Sequence, residues 1–194
     1  MRRVPWGAPL ALALLLLVPA VAAAASRLGA MEGHLSIGYV KLFADSLDAP
    51  GGSISLSAGV DYPVVRTLRA GVDLGYDLLG SSTYQEGSLF ATVDYSAFQV
   101  IGLLHWLPER LGPLRRVSLG PMLCNAHGDL TTAAGGAAFA DRAVHQTSGG
   151  AAVQATLLPA SASPVKLGLE LGLRRAFLAG PDWTLLSVRL SVHY

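Results

Sequence analysis

The chain has 194 residues, 52% of them hydrophobic and 14% charged, with a formal net charge of +1 and a single cysteine, Cys124. That length suits one domain, or two small ones, and the charge offers no basic excess for nucleic acid. One cysteine excludes an internal disulfide and any Cys/His zinc spacing.

Residues 1–26, MRRVPWGAPLALALLLLVPAVAAAAS, open with Arg2 and Arg3. An apolar run from Leu10 to Val18 follows, and then small residues from Ala22 to Ala25. This is the pattern of a cleaved secretory signal peptide, with an apolar core too short to span a bilayer. Its removal takes two arginines and no acid, leaving 12 basic residues against 13 acidic ones. No later stretch reaches 18 consecutive apolar residues, so no helical span is predicted. Only two lysines, Lys41 and Lys166, are present, far fewer than a water-facing surface normally carries.

From residue 34 onward the apolar residues recur with period two, the signature of strands. HLSIGYVKLF (34–43) aligns Leu35, Ile37 and Tyr39. SISLSAGVDY (53–62) aligns Ile54, Leu56, Ala58, Val60 and Tyr62 against serine, glycine and Asp61. LRAGVDLGYDL (68–78) sets Leu68, Ala70, Val72, Leu74, Tyr76 and Leu78 against Arg69, Asp73 and Asp77. SLFATVDYSAFQVIGLLHW (88–106) begins with Leu89, Ala91, Val93 and Tyr95 in phase, opposite Asp94, and loses phase near Phe98, which predicts a bulge there. RVSLGPMLCN (116–125) aligns Val117, Leu119 and Leu123, with Pro121 as an irregularity. GGAAVQATLLP (149–159) aligns Ala151, Val153, Ala155 and Leu157. VKLGLELGLRR (165–175) sets five apolar residues against Lys166, Glu170 and Arg174. TLLSVRLSVHY (184–194) sets Leu186, Val188, Leu190, Val192 and Tyr194 against Arg189 and His193.

The connections alternate in character. PVVRT, LPERLGPLR and PASASP are short and carry proline. ADSLDAPGG, LGSSTYQEG and HGDLTTAAGGAAFADRAVHQT are longer or more polar, while AFLAGPD is shorter. Long connections on one end and short ones on the other are expected of an outer-membrane barrel with both termini in the periplasm. The 127–147 stretch is by its length the candidate adhesive or gating element, while its Ala/Gly richness favours a mobile segment over a tight recognition surface, and a plain flexible surface loop is the alternative.

A soluble barrel would alternate too, with its polar face outward. Here that face is mostly Ser and Gly with isolated charges, a composition suited to the narrow lumen of eight strands. Eleven residues tilted about 45° span roughly 25 Å, the height of the apolar band in such barrels. Closure of the ring satisfies every edge donor and acceptor, which lipid cannot do. Aromatics at strand ends predict two girdles: Tyr62, Trp106 and Tyr194 on the periplasmic side, and Tyr39, Phe43, Tyr76 and Trp183 on the outer side.

Residues 30–194 resemble the bacterial eight-stranded outer-membrane barrels of the OmpA/OmpX/OmpW-like group. The resemblance implies an all-β, eight-stranded, antiparallel up-and-down transmembrane barrel over residues 27–194. It also implies a place in the bacterial outer membrane, with outer-membrane lipids and the barrel-assembly machinery as partners. The closing SVRLSVHY is similar to that machinery's C-terminal recognition signal, with Tyr194 where phenylalanine is commoner.

Because an unpaired buried charge costs several kcal/mol, acids in the lumen should offset bases. The expected network comprises Asp61, Arg69, Asp73, Asp77, Asp94, Lys166, Glu170, Arg174 and Arg189, with Glu170 opposite or diagonal to Arg189 and Asp61 close to Arg69. No cofactor, metal site or catalytic residue is predicted. The function expected is a non-enzymatic structural or surface role. A narrow channel or transporter for small or apolar solutes is the first alternative, and a lipid A-modifying enzyme the second. For an enzyme, His34 with Ser36, Ser191 with His193, and the outer group His127, Asp129, His145 and Ser148 are the available fragments.

Overall fold

A computed structural model describes residues 31–44, 52–108, 112–134, 137–157, 165–180 and 182–194. The expected signal peptide lies outside them. Eight strands follow in order: β1 (Glu32–Ala44), β2 (Ser53–Val65), β3 (Leu68–Glu86), β4 (Leu89–Trp106), β5 (Leu114–Ala134), β6 (Ala137–Leu157), β7 (Lys166–Ala176) and β8 (Trp183–His193). Each pairs antiparallel with its neighbour, and β1 pairs with β8, closing the ring. Beyond β8, the N–H and C=O of Gly33 and Tyr194 exchange two hydrogen bonds of 3.0 Å and extend that seam. No helix among the described residues is long and apolar enough to cross a membrane; strands do not need one.

Which way the faces point decides the solvent. Leu123, Leu167 and Leu190 are 61%, 67% and 67% exposed, while Arg174, Arg189 and Glu170 are 0%, 1% and 2% exposed. The aliphatic faces look outward and the charged faces look inward, the inverse of a water-soluble barrel. Glycines on the inner face make room for the charges. A Cβ at Gly59 would strike Asp73 and His34, and one at Gly71 would strike Asp61 and His105.

Three expectations need correction. The irregularity predicted in β4 lies in its partner: the β3–β4 register shifts between Leu78 and Gly80, with Gly80 at φ +84°, while β4 stays continuous. β4 keeps one parity, with Ala97, Gln99, Ile101, Leu103 and His105 inside and Val93 and Tyr95 toward the barrel mouth, while the inserted residue switches the inward face of β3 from Asp73, Asp77 and Leu79 to Ser82. Pro121 causes no slip; the pairing of β4 with β5 is interrupted between Ile101↔Met122 and Leu104↔Leu119 and resumes in the same register. Gly120 there backs onto the carbonyl oxygen of Gly102 so closely that a Cβ would collide with it.

The second correction concerns LGSSTYQEG and the 127–147 stretch, whose residues 79–86, 127–134 and 137–147 are paired strand and not loop. β3 and β4 run on to a turn at Gly87 (φ +61°), and β5 pairs β6 through Ala134↔Ala137. Composition misled because threonine and alanine ladders need no apolar face once a strand has left the bilayer. β5 and β6 have 21 residues each, against 11 in β7 and β8. The additional ten, tilted like the rest, carry the hairpin about 20 Å beyond the short strands.

Third, Trp183 is only 6% exposed. It shares odd parity with the inward Arg189, so it packs inside the barrel, edge-on to Tyr95 at 6.0 Å. Tyr39, Phe43, Tyr62 and Trp106 do point outward, each 45–56% exposed.

Candidate functional site

The interior is where this fold gathers most of its polar chemistry, and it is layered. Moving outward along β8, the buried residues are His193, Ser191, Arg189 and Ser187, followed by Leu185 and Trp183. Along β1 they are His34 and Ser36, then Val40 and Leu42; along β3, Asp73 and Asp77, then Leu79. The part near the chain termini is ionic and the part toward the long β5–β6 hairpin is apolar. The lumen is therefore not polar throughout, although its charged portion matches the expected kind of residue.

Three ion-paired groups fill the charged part. On one side Glu170 faces Arg189 directly across the β7–β8 ladder, pairs with it and accepts a hydrogen bond from Ser36 Oγ at 3.2 Å. Beside it, Arg174 Nη1 donates to Gln99 Oε1 at 2.6 Å and lies 3.0 Å from Asp77 Oδ2, which accepts from Gln99 Nε2 at 2.7 Å. This triangle spans β3, β4 and β7.

The third group lies nearest the end that carries the chain termini. Arg116 Nη1 donates to Asp61 Oδ2 at 2.5 Å. His105 places Nε2 2.8 Å from Asp61 Oδ1 and Nδ1 2.7 Å from Ser118 Oγ. His34 Nε2 sits 3.1 Å from Asp73 Oδ1, and the ring stacks on His193 at 5.4 Å. At the rim, Arg69 pairs with Glu32 at 2.7 Å. Among the described residues, four buried carboxylates (Asp61, Asp73, Asp77 and Glu170) meet three buried guanidiniums (Arg116, Arg174 and Arg189). The imidazole of His34 lies against Asp73, and that of His105 takes Oδ1 of Asp61 while Arg116 holds Oδ2.

Of the expected network, Asp61, Asp73, Asp77, Glu170, Arg174 and Arg189 are buried inside, and Arg69 is partly buried at the rim. Asp94 is not inside. It lies exposed on the outer face, opposite Asp129, because β4 keeps one parity throughout. Lys166 is exposed at the end of β7. Arg69 pairs with Glu32 and not with Asp61, whose partner is Arg116. Missed at the sequence level were Glu32, Gln99, His105, Arg116 and Ser118, and His34 was considered only beside Ser36, not as part of the network. Parity alone would have found Arg116 and Ser118, since Val117 and Leu119 face outward.

Ser118, His105 and Asp61 stand in the order of a nucleophile, a base and an orienting acid. Ser118 and Asp61 are 0% exposed and His105 1%, and Asp61 is also held by Arg116. The three groups are sealed from solvent and brace β2, β4 and β5 against one another. Of the other fragments, Ser36 donates to Glu170, and His193 Nε2 lies 3.0 Å from Ser191 Oγ.

Above the charged layer, Val40, Leu42, Leu79, Ala97, Cys124 and Leu185 are fully buried and close the barrel toward the outside. Beyond them the mouth opens as a cavity of about 280 Å³, lined by Val93, Tyr95, Leu130, Val144, Leu178 and Trp183.

Solved structures share this fold. Surface protein A of Neisseria (NspA) superimposes with a TM-score of 0.56 at 16% identity, over 84% of this chain and 95% of that one. The chain has the fold of the OmpA/OmpX-like outer-membrane β-barrels. A major outer membrane protein from Thermus thermophilus matches this barrel with a TM-score of 0.53 at 10% identity, over 85% of this chain and 98% of that one. Ail, the attachment invasion locus protein of Yersinia pestis, solved with the heparin analogue sucrose octasulfate, gives 0.52 at 13%, over 85% and 99%. No protein-family model and no curated protein matches the sequence.

Proposed function

We propose that this protein is a non-enzymatic component of the bacterial outer membrane, a closed and internally braced barrel that holds β-hairpins out from the cell surface. Residues 1–26 would direct its export. The exposed leucines would meet outer-membrane lipid, and the β8 end with Tyr194 would present the chain to the barrel-assembly machinery. What carries this reading is the filling of the lumen. Arg174 and Arg189 are buried to 0% and 1% between carboxylates, under an apolar layer that includes Leu42, Leu79 and Leu185. Water and ions need a continuous polar path, and a dry constriction of packed aliphatic side chains blocks one. Meanwhile β3–β4 and β5–β6 run well past the shorter strands.

Reconstitution in planar bilayers, combined with mass spectrometry of lipid A from expressing cells, tests this. Silent bilayers and unchanged lipid A are expected. Conductance steps abolished by Arg189→Gln would replace the proposal with a channel. Loss of an acyl chain, prevented by Ser118→Ala, would replace it with an enzyme.

A further inference from the structure

Of the chain's five histidines, His34, His105 and His193 are buried in the lumen. The other two meet on the outer hairpin. His127 on β5 and His145 on β6 are directly paired across the ladder, two rungs beyond Asn125↔Thr147. Their Nδ1 atoms are 2.8 Å apart, their ring centres 4.1 Å apart, and the rings are tilted by 34°. His127 Nε2 lies 2.9 Å from Asp129 Oδ2.

These distances say which way the nitrogens aim. A head-on N–H···N bond, which prefers linearity, would hold the ring centres about 5 Å apart. At 4.1 Å the rings are inclined to the Nδ1···Nδ1 line, so the pair is not held in a linear bond and both Nδ1 edges lie within reach of one ion. Two imidazole nitrogens on one ion, each about 2.1 Å from it, lie about 3.0–3.3 Å apart. The observed separation needs to open by only a few tenths of an ångström, well within side-chain freedom on a solvent-exposed hairpin.

Asp129 supplies the second half of the arrangement. A metal-ligating histidine nearly always gives its other ring N–H to a carboxylate or carbonyl, which fixes the tautomer and makes the ligating nitrogen more basic. With Nε2–H of His127 directed at Asp129, its Nδ1 presents a lone pair toward His145. No group of three or more His, Cys, Asp or Glu side chains is arranged to hold a metal ion among the described residues. The pair is thus a two-point chelate, with solvent completing the coordination.

We propose that His127 and His145 form a two-imidazole site for a divalent transition-metal ion of the zinc and copper class, oriented by Asp129, on the outer face of the β5–β6 hairpin. Neutral imidazole suits these ions and not calcium or magnesium. Binding needs no net proton release: the proton on His145 Nδ1 moves to its Nε2 as Nδ1 takes the metal. The ion ties β5 to β6 beyond the lipid band, near the cross-strand bond that Asn125 Nδ2 donates to Thr147 Oγ1 at 2.8 Å.

The test is titration of untagged, folded protein in detergent with Cu²⁺, followed by electron paramagnetic resonance and by calorimetry, then with Zn²⁺. One reversible equivalent per chain is expected, with two imidazole nitrogens coupled to the copper. His127→Ala and His145→Ala should each weaken binding at least tenfold, and Asp129→Asn by about tenfold with the two-nitrogen signal retained. Mobility on unheated gels verifies that each variant is still a barrel. Absence of stoichiometric binding, a copper spectrum without two-nitrogen coupling, or affinity unchanged in both histidine variants would each overturn the proposal.

Discussion

Arg189 and Glu170 are 1% and 2% exposed and face each other across the last hairpin, with Ser36 completing the carboxylate's hydrogen bonds. Removing one partner strands a charge in a place where neither lipid nor water can solvate it. Arg189→Ala should lower stability by about 3–5 kcal/mol, whereas Glu170→Gln combined with Arg189→Met should recover most of the loss. Urea unfolding of the three variants in phospholipid vesicles measures both effects. Equal losses in the single and double variants would mean that the charges contribute little. The glycines opposite these side chains belong to the same device. Gly71→Leu would push into Asp61 and His105, and the expected result is a loss of stability comparable to a charge deletion.

At the scale of elements, the barrel below the outer rim has its own closed ladder and does not draw on the β5–β6 extension. Replacing residues 129–143 by Asn-Gly, joining Gly128 to Val144, should leave the heat-dependent gel shift and the β-sheet circular dichroism unchanged, since Gly128 already pairs with Val144. Loss of the shift would show that the hairpin is needed for folding. The existence, order and face of the strands were legible because period two survives wherever one face meets lipid. Their outer limits were not, because above the membrane neither face is required to be apolar, as the Thr131–Thr132 and Ala133–Ala134 ladder shows. Asp94 and Trp183 were misplaced for a related reason: at the outer end of β4 the apolar Val93 and Tyr95 line the mouth, so Asp94 opposite them faces out, and Trp183 was judged by its place at a strand end instead of by its parity. Within the lumen, charges on clean alternating strands were readable. The imidazoles of His34 and His105 were not, because a histidine's partners come from strands distant in sequence, such as Asp73 and Asp61.

On the scale of the whole molecule, the outward aliphatic band is what commits the chain to a bilayer. Leu123→Arg or Leu190→Arg, on residues 61% and 67% exposed, should destabilise the barrel in vesicles by about 2–4 kcal/mol where the side chain falls at mid-bilayer, and by much less in a detergent micelle. Equal stability in both media would contradict a lipid-facing band. The ring shuts where β1, beginning at Glu32, meets β8, ending at His193. Every other pairing joins strands that are consecutive along the chain. Until the first and last come together, both present bare N–H and C=O rows to anything extended nearby, including another copy in the same state. A protein built this way is safest when it is kept solitary and unfolded on its journey and circularised in a single late act at its destination.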